Sequence, residues 1–265
     1  MLNKDELDAI TTLAKEVVKP AYTDAVQPVA QEVGKALKTV GGVINVALAP
    51  LAIMVYGYET IKNRLNDRLE VRLSKVAPEN IVSPDPQIVG PLLDKYKYVH
   101  DKEGLSDMFV NLLANAMDKD QVKKAHPSFV NVISELSPDE ARLLKKIATS
   151  EVLPKLDVRV REKTPGNPGY QYVLTNFTDL GSIASLNYPD LASTYISNLE
   201  RLNIVSCTIG DFQESYTNKE HYKPLQDSPI IRDLRESVKD KYDVEIKEGI
   251  IKITEFGKLF LNAVL

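Results

Sequence analysis

The sequence predicts a mainly α protein: N-terminal long helices, a central helical bundle and a C-terminal winged-helix-like α+β module. Three observations predict it. Apolar residues recur at helical spacing through most of the first 150 positions. The stretch "APENIVSPDPQIVGP", which cannot be helix throughout, separates two such regions. After Glu151 the texture changes to alternating strand-like runs broken by turn residues and further helix. These shifts place domains at 1–77, 78–149 and 150–265.

In the first region Leu7, Ile10, Leu13 and Val17 share one helical face, and Val26, Val29, Val33, Leu37, Val40 and Ile44 continue the pattern. Pro20 and Pro28 are expected breaks or kinks, since each removes a backbone donor. The run "TVGGVINVALAPLAIMVYGY", Thr39–Tyr58, then carries no charge in a chain that is 26% charged. A helical span needs roughly 20 apolar residues, so the run just reaches that length. Asn45 and Pro50 weaken insertion, while Tyr56 and Tyr58 lie where interfacial aromatics would. Positive residues flank both ends and set no orientation. Three readings stay open: a buried or partner-facing helix, a conditionally inserting segment, and a constant span. Beyond it, Ile61, Leu65, Leu69 and Leu73 form an apolar stripe on an otherwise charged helix.

The central block reads as two helices joined near Asp101–Gly104, the second presenting Leu105, Met108, Phe109, Leu112, Leu113 and Met117. His126-Pro127 starts a short helix. In "SPDEARLLKKIA" Ser137 caps, Pro138 fits the first turn and Glu140 completes a capping box. In the last region "KLDVRVRE" and "YQYVLTN" read as strands about the turn "TPGNPG". "YPDLASTYISNLERLNIV" is a helix with Leu191, Tyr195, Leu199 and Leu202 inward. "YDVEIKEGIIKIT" reads as a hairpin turning at Glu248-Gly249, and Thr254 caps a final helix. Helix, helix, strand–turn–strand and helix is the winged-helix order.

Composition narrows the function classes. The net charge of -4 and a pI near 5.6 give no global reason to coat nucleic acid. One cysteine, Cys207, excludes an intramolecular disulfide and fits a reducing cytosol. The N-terminus is charged and amphipathic, unlike a secretory signal. Phosphate-cradling glycine loops, H-E-x-x-H and G-x-S-x-G are absent, so no cofactor is expected. His100, His126 and His221 share no ligand spacing, and no metal site is expected.

Asp243, Glu245 and Lys247 share one face of a strand, a spacing that occurs in metal-dependent nucleases. A solvated wing face explains the three without metal, and the chain is read as non-enzymatic. The helix Asp190–Asn203 offers two acids and one base, poor equipment for a DNA groove. Arg159, Arg161 and Lys163 cluster instead on one wing and are the candidate nucleic-acid contacts.

The segment "SDMFVNLLANAMDKDQVKKAHPSFVNVISELSPDEARLLKKIA", Ser106–Ala148, resembles the signature of the bacterial abortive infection alpha (Abi-alpha) family, also known as the domain of unknown function 4393. "NLLANAMD" and "HPSFVNVISELSPDEARLL" fit its pattern closely, and Phe109 stands where tryptophan is common. The upstream "ALAPL" and "GYETI" are similar to the family's N-terminal segment; "YISNLERLNIV" and "ITEFGKLFLNAV" match more loosely. The resemblance implies a role in abortive infection, a phage defence in which the infected cell stops growing or dies. It carries over no catalytic residues. The signature residues Phe109, Leu112, Leu113, His126, Pro127, Phe129 and Leu136 read physically as packing residues of a helical core.

The functional expectation is a cytoplasmic, non-enzymatic defence effector with conditional association with the inner membrane. Its working segment would present Val43, Ile44, Leu48, Leu51, Ile53, Met54, Val55 and Tyr58 to membrane or partner. Self-association or a defence partner protein is the expected partnership, with the inner membrane beside it and nucleic acid ranked after both. The alternatives are an interaction or oligomerisation module and a nucleic-acid-binding winged-helix regulator.

Overall fold

A computed structural model describes residues 58–150, 152–164, 166, 169–210 and 219–265, with Ile44 and Leu48. The long helices expected before residue 58 otherwise lie outside the described residues. The chain divides into two compact units, one reaching Ser134 and including Val264, the other Glu135–Ala263 with Leu265.

The described residues of the first unit are mainly helical. Helix α1 (Tyr58–Leu73) buries Ile61, Leu65, Leu69 and Leu73, each no more than 2% exposed, because residues four apart fall on one face. Helix α2 (Pro86–Tyr96) starts inside the proline-rich stretch: Asp85 accepts the Gln87 amide and Pro86 opens the first turn. Helix α3 (Leu105–Met117) is apolar almost all round and follows Gly104, whose left-handed φ of 83° suits glycine. Helix α4 (Ser128–Ser134) buries Phe129, Val130, Val132 and Ile133. Tyr96 meets Phe109 edge-on, ring centroids 6.4 Å apart. On the wet side Arg68 and Arg72 pair with Asp107.

The second unit corrects the expected fold class. It opens with helix α5 (Pro138–Ile147), whose capping box is complete: Glu140 N to Ser137 Oγ, and Ser137 N to Glu140 Oε2. Strands β1 (Val152–Glu162) and β2 (Gln171–Phe177) form the expected hairpin. Helices α6 (Leu180–Ile183) and α7 (Ala192–Arg201) follow, then strand β3 (Val205–Ile209), helices α8 (Lys223–Gln226) and α9 (Pro229–Val238), strand β4 (Tyr242–Ile253) and helix α10 (Glu255–Val264). The four strands form one antiparallel sheet in the order β2-β1-β4-β3. The protein is therefore mixed α and β, rather than mainly α with a winged-helix-like module.

The physical reason lies in "YDVEIKEGIIKI". The expected turn at Glu248-Gly249 does not form. All eleven pairs from Val152↔Lys252 to Glu162↔Tyr242 run through it without a slip, while β3 pairs along the other edge from Ile253 to Gly249. Gly249 serves close approach instead of a turn. A Cβ there would sit 2.4 Å from the Thr208 carbonyl oxygen and 2.9 Å from Lys155 Cε.

Opposed residues of an antiparallel pair share a face. Leu156, Val158 and Ile246 therefore lie on one face, where Leu156 packs with Tyr222, Leu225, Phe177 and Ile246. The opposite face carries Lys155, Asp157, Arg159 and Arg161 of β1, across from Gly249, Lys247, Glu245 and Asp243. Helix α7 reaches this unit's β2 side through Asn176 Nδ2 to Ser197 Oγ (3.2 Å), and β3 through Cys207 N to Glu200 Oε1 (2.9 Å).

Candidate functional site

Ile44 and Leu48, four residues apart, are helical and completely buried. Tyr58 begins α1. Val43, Leu51, Ile53, Met54 and Val55 lie outside the described residues. Among the described residues no helix is long and apolar enough to cross a membrane.

The signature residues separate into two jobs. Phe109, Leu112, Leu113, Phe129 and Leu136 are buried, with Phe109, Leu112 and Leu113 at 1% exposure or less. His126 is exposed and works locally at the start of α4: Nδ1 accepts from Ser128 N at 3.1 Å, and the ring lies 5.7 Å from Phe129. Pro127, half-buried, leads into the same helix.

Sequence reasoning passed over Asp139, which the second unit buries to 2% exposure at the first turn of α5. Its oxygens accept from the backbone amides of Asn187 (3.0 Å) and Tyr188 (2.9 Å), from Arg142 (3.0 Å) and from the Tyr195 hydroxyl (3.4 Å). Burial pushes this carboxyl up, but the two amides, Arg142 and Tyr195 together outweigh it and hold the group below the usual aspartate range. Burial, then the nearby Asp139 charge, raises the Tyr195 phenol. Beside it Glu140 Oε1 accepts from Asn198 Nδ2 at 2.7 Å. The acids of "SPDE" thus tie α5 to the 187–188 turn and to α7. The one sequence signal was an acid pair at a helix start, and it does not distinguish a tether from an ordinary dipole partner.

The polar face of the sheet has two halves. In the half that α7 approaches, Lys155 and Asp157 are buried side by side, Nζ lying 2.9 and 3.0 Å from the two carboxylate oxygens. Asp157 Oδ1 also accepts from Asn176 N at 2.7 Å. Cys207 stands on the same face, and burial followed by the Glu200 charge pushes its thiol up to about 12. A thiol so placed is not a nucleophile at neutral pH.

The other half is half-exposed and brings together the three basic residues singled out from sequence. Arg159 contacts Glu245 through Nε (2.8 Å) and Nη2 (2.6 Å), and Arg161 Nη2 reaches the second oxygen at 2.9 Å. Lys163 Nζ donates to the Lys239 carbonyl at 2.6 Å and lies 3.8 Å from Asp243. The Arg159 guanidinium sits 4.0 Å from the centre of the Tyr170 ring, and Tyr170 meets Tyr172 edge-on at 5.5 Å. The hydrogen bond from Arg159 is the leading reason the Glu245 carboxyl is held low, and the same bond holds the guanidinium pKa high. Of the nuclease-like set, Glu245 is thus engaged by two arginines with Lys247 Nζ at 3.7 Å, and Asp243 faces Lys163. No group of three or more His, Cys, Asp or Glu among the described residues is placed to hold a metal ion.

A family model described as abortive infection alpha matches residues 57–264, a span covering both the buried signature helix and the whole sheet. No curated protein matches the chain. A solved structure, that of an uncharacterized protein from the hydrocarbon-degrading marine bacterium Alcanivorax borkumensis SK2, is similar at 17% identity over 55% of this chain and 94% of that one. Its TM-score of 0.37 is too low to inform the fold.

Proposed function

The chain belongs to the abortive infection alpha family, and from that premise we propose that it is a phage-defence effector acting without catalysis, by conditional insertion of Thr39–Tyr58 into the inner membrane. The observation that carries this reading is the state of Ile44 and Leu48: both are helical, and both are completely buried within a run that has no charge. Apolar side chains held inside protein are masked, and a twenty-residue helix, at about 1.5 Å per residue, would extend to roughly the 30 Å of a hydrocarbon core. Asn45 and Pro50 make permanent insertion costly, which favours a segment that is stored and then released. In the second unit Ser137, Asp139 and Glu140 are engaged in a cap and in tethers, the work of a scaffold.

The test is phage challenge of cells expressing the intact chain or its Ile44→Asp and Ile53→Asp variants. Membrane potential is followed by dye and the protein by fractionation. Growth arrest should coincide with depolarisation and membrane association in the intact chain, and both should vanish in the variants. Arrest with the membrane still polarised and the protein still in the supernatant would end this reading.

A further inference from the structure

We propose that the half-exposed face formed by β1, β4 and the start of β2 binds single-stranded nucleic acid. This stands on the sheet alone and is independent of the membrane reading. Four cations converge there, Arg159, Arg161 and Lys163 from alternate positions along β1 and just past it, and Lys247 from β4. Two carboxylates, Asp243 and Glu245, oppose them, so the patch is positive by two in a chain whose net charge is -4. A local reversal of sign on that scale is an attractive field for a phosphate backbone.

The aromatic residues select the kind of polyanion. Tyr170 is 52% exposed and Tyr172 40%, large values for tyrosines that contact a neighbour. Tyr170 is already fixed over the Arg159 guanidinium, and Tyr172 is fixed by pairing opposite Arg159 in the sheet. Ring faces held in place beside cations are the elements of a base-stacking platform, which pays little ordering entropy on binding. Only an unpaired base can lie on such a ring, because duplex bases are stacked on each other. Helix α7 is poorly equipped for a groove: Arg201 is held by Glu135 and Asn198, and Glu200 by the Cys207 amide. Glu245 screens Arg159 and Arg161, which sets a modest affinity and a shallow salt slope.

The experiment is fluorescence anisotropy of the full chain with labelled oligo(dT) and oligo(U) of about twelve nucleotides, within the usual site size of such surfaces. A mixed-sequence duplex and polyglutamate serve as competitors. Single strands should bind at low salt, and log K should fall against log salt with a slope of roughly -0.7 per phosphate neutralised. Tyr170→Ala, outside the strands, should weaken binding roughly tenfold. Lys163→Gln, also outside them, should flatten the salt slope by about one phosphate. Absence of binding at low salt overturns the proposal. So does polyglutamate or duplex competing as well as a single strand with Tyr170→Ala unaffected, since the face would then be a docking surface for acidic protein or duplex.

Discussion

Lys155 and Asp157, two residues apart on β1, form an ion pair in which both side chains are less than one-tenth exposed. Such a pair contributes little net stability, yet losing one member strands a buried charge. Lys155→Met should therefore lower the free energy of unfolding by about 3–5 kcal/mol in urea titrations. Adding Asp157→Leu should recover part of that loss. A residue of about 1–3 kcal/mol should persist, because the Asn176 amide then has no acceptor. Additive losses in the double variant would show that the pair is not energetically coupled.

Asp139 should make the second unit sensitive to acid. Its folded pKa lies below the unfolded value of 3.8, so the folded state binds its proton less readily than the unfolded state. The stabilisation is fully present above the unfolded value and is lost as pH falls through the folded one. Asp139→Asn places an NH2 group near the donors of Asn187 and Tyr188 and should cost about 2 kcal/mol at pH 7. Its deficit should shrink as pH falls from about 5 to about 3; a pH-independent deficit in melting experiments would contradict this assignment.

Gly249→Ala should loosen the β3 edge. The added methyl meets the Thr208 carbonyl, which is backbone and cannot rotate away, and the stem of Lys155. A loss of about 1–3 kcal/mol is expected from overpacking. Faster amide exchange in Val205–Ile209 than in β2 would place the damage where the contact lies; uniform exchange across both edges would argue against it.

Cys207 should resist alkylation. With its thiol pushed up to about 12, the thiolate fraction near neutral pH is negligible. Iodoacetamide labelling read by mass should be slow in the native protein and become fast only on unfolding. Rapid native labelling would mean that the half-buried thiol is far more open than its contacts with Glu200 and the sheet indicate.

Helices with strong periodicity were readable from sequence because a stripe such as Ile61, Leu65, Leu69 and Leu73 declares its buried face without reference to anything distant. Caps were readable for the same reason: Ser137 and Glu140 satisfy each other within one turn. The sheet was not, since Gly249 is a turn residue by local chemistry and a strand residue only because Thr208 and Lys155 crowd it. β3 gave still less, five residues whose strand character comes from β4 alone. Of the candidate sites, Arg159, Arg161 and Lys163 were visible as an alternating basic run. The opposing Glu245 lies across the β1–β4 pairing, which local pattern does not encode.

The sheet order has a consequence for the timing of synthesis. β4 is the last of the four strands to leave the ribosome, and it is the one that joins β1 to β3. A nascent chain ending before Tyr242 holds a hairpin and a lone five-residue strand with no common neighbour, so their pairing groups wait unfilled. Translation products that stop before Tyr242 therefore cannot complete the four-stranded sheet.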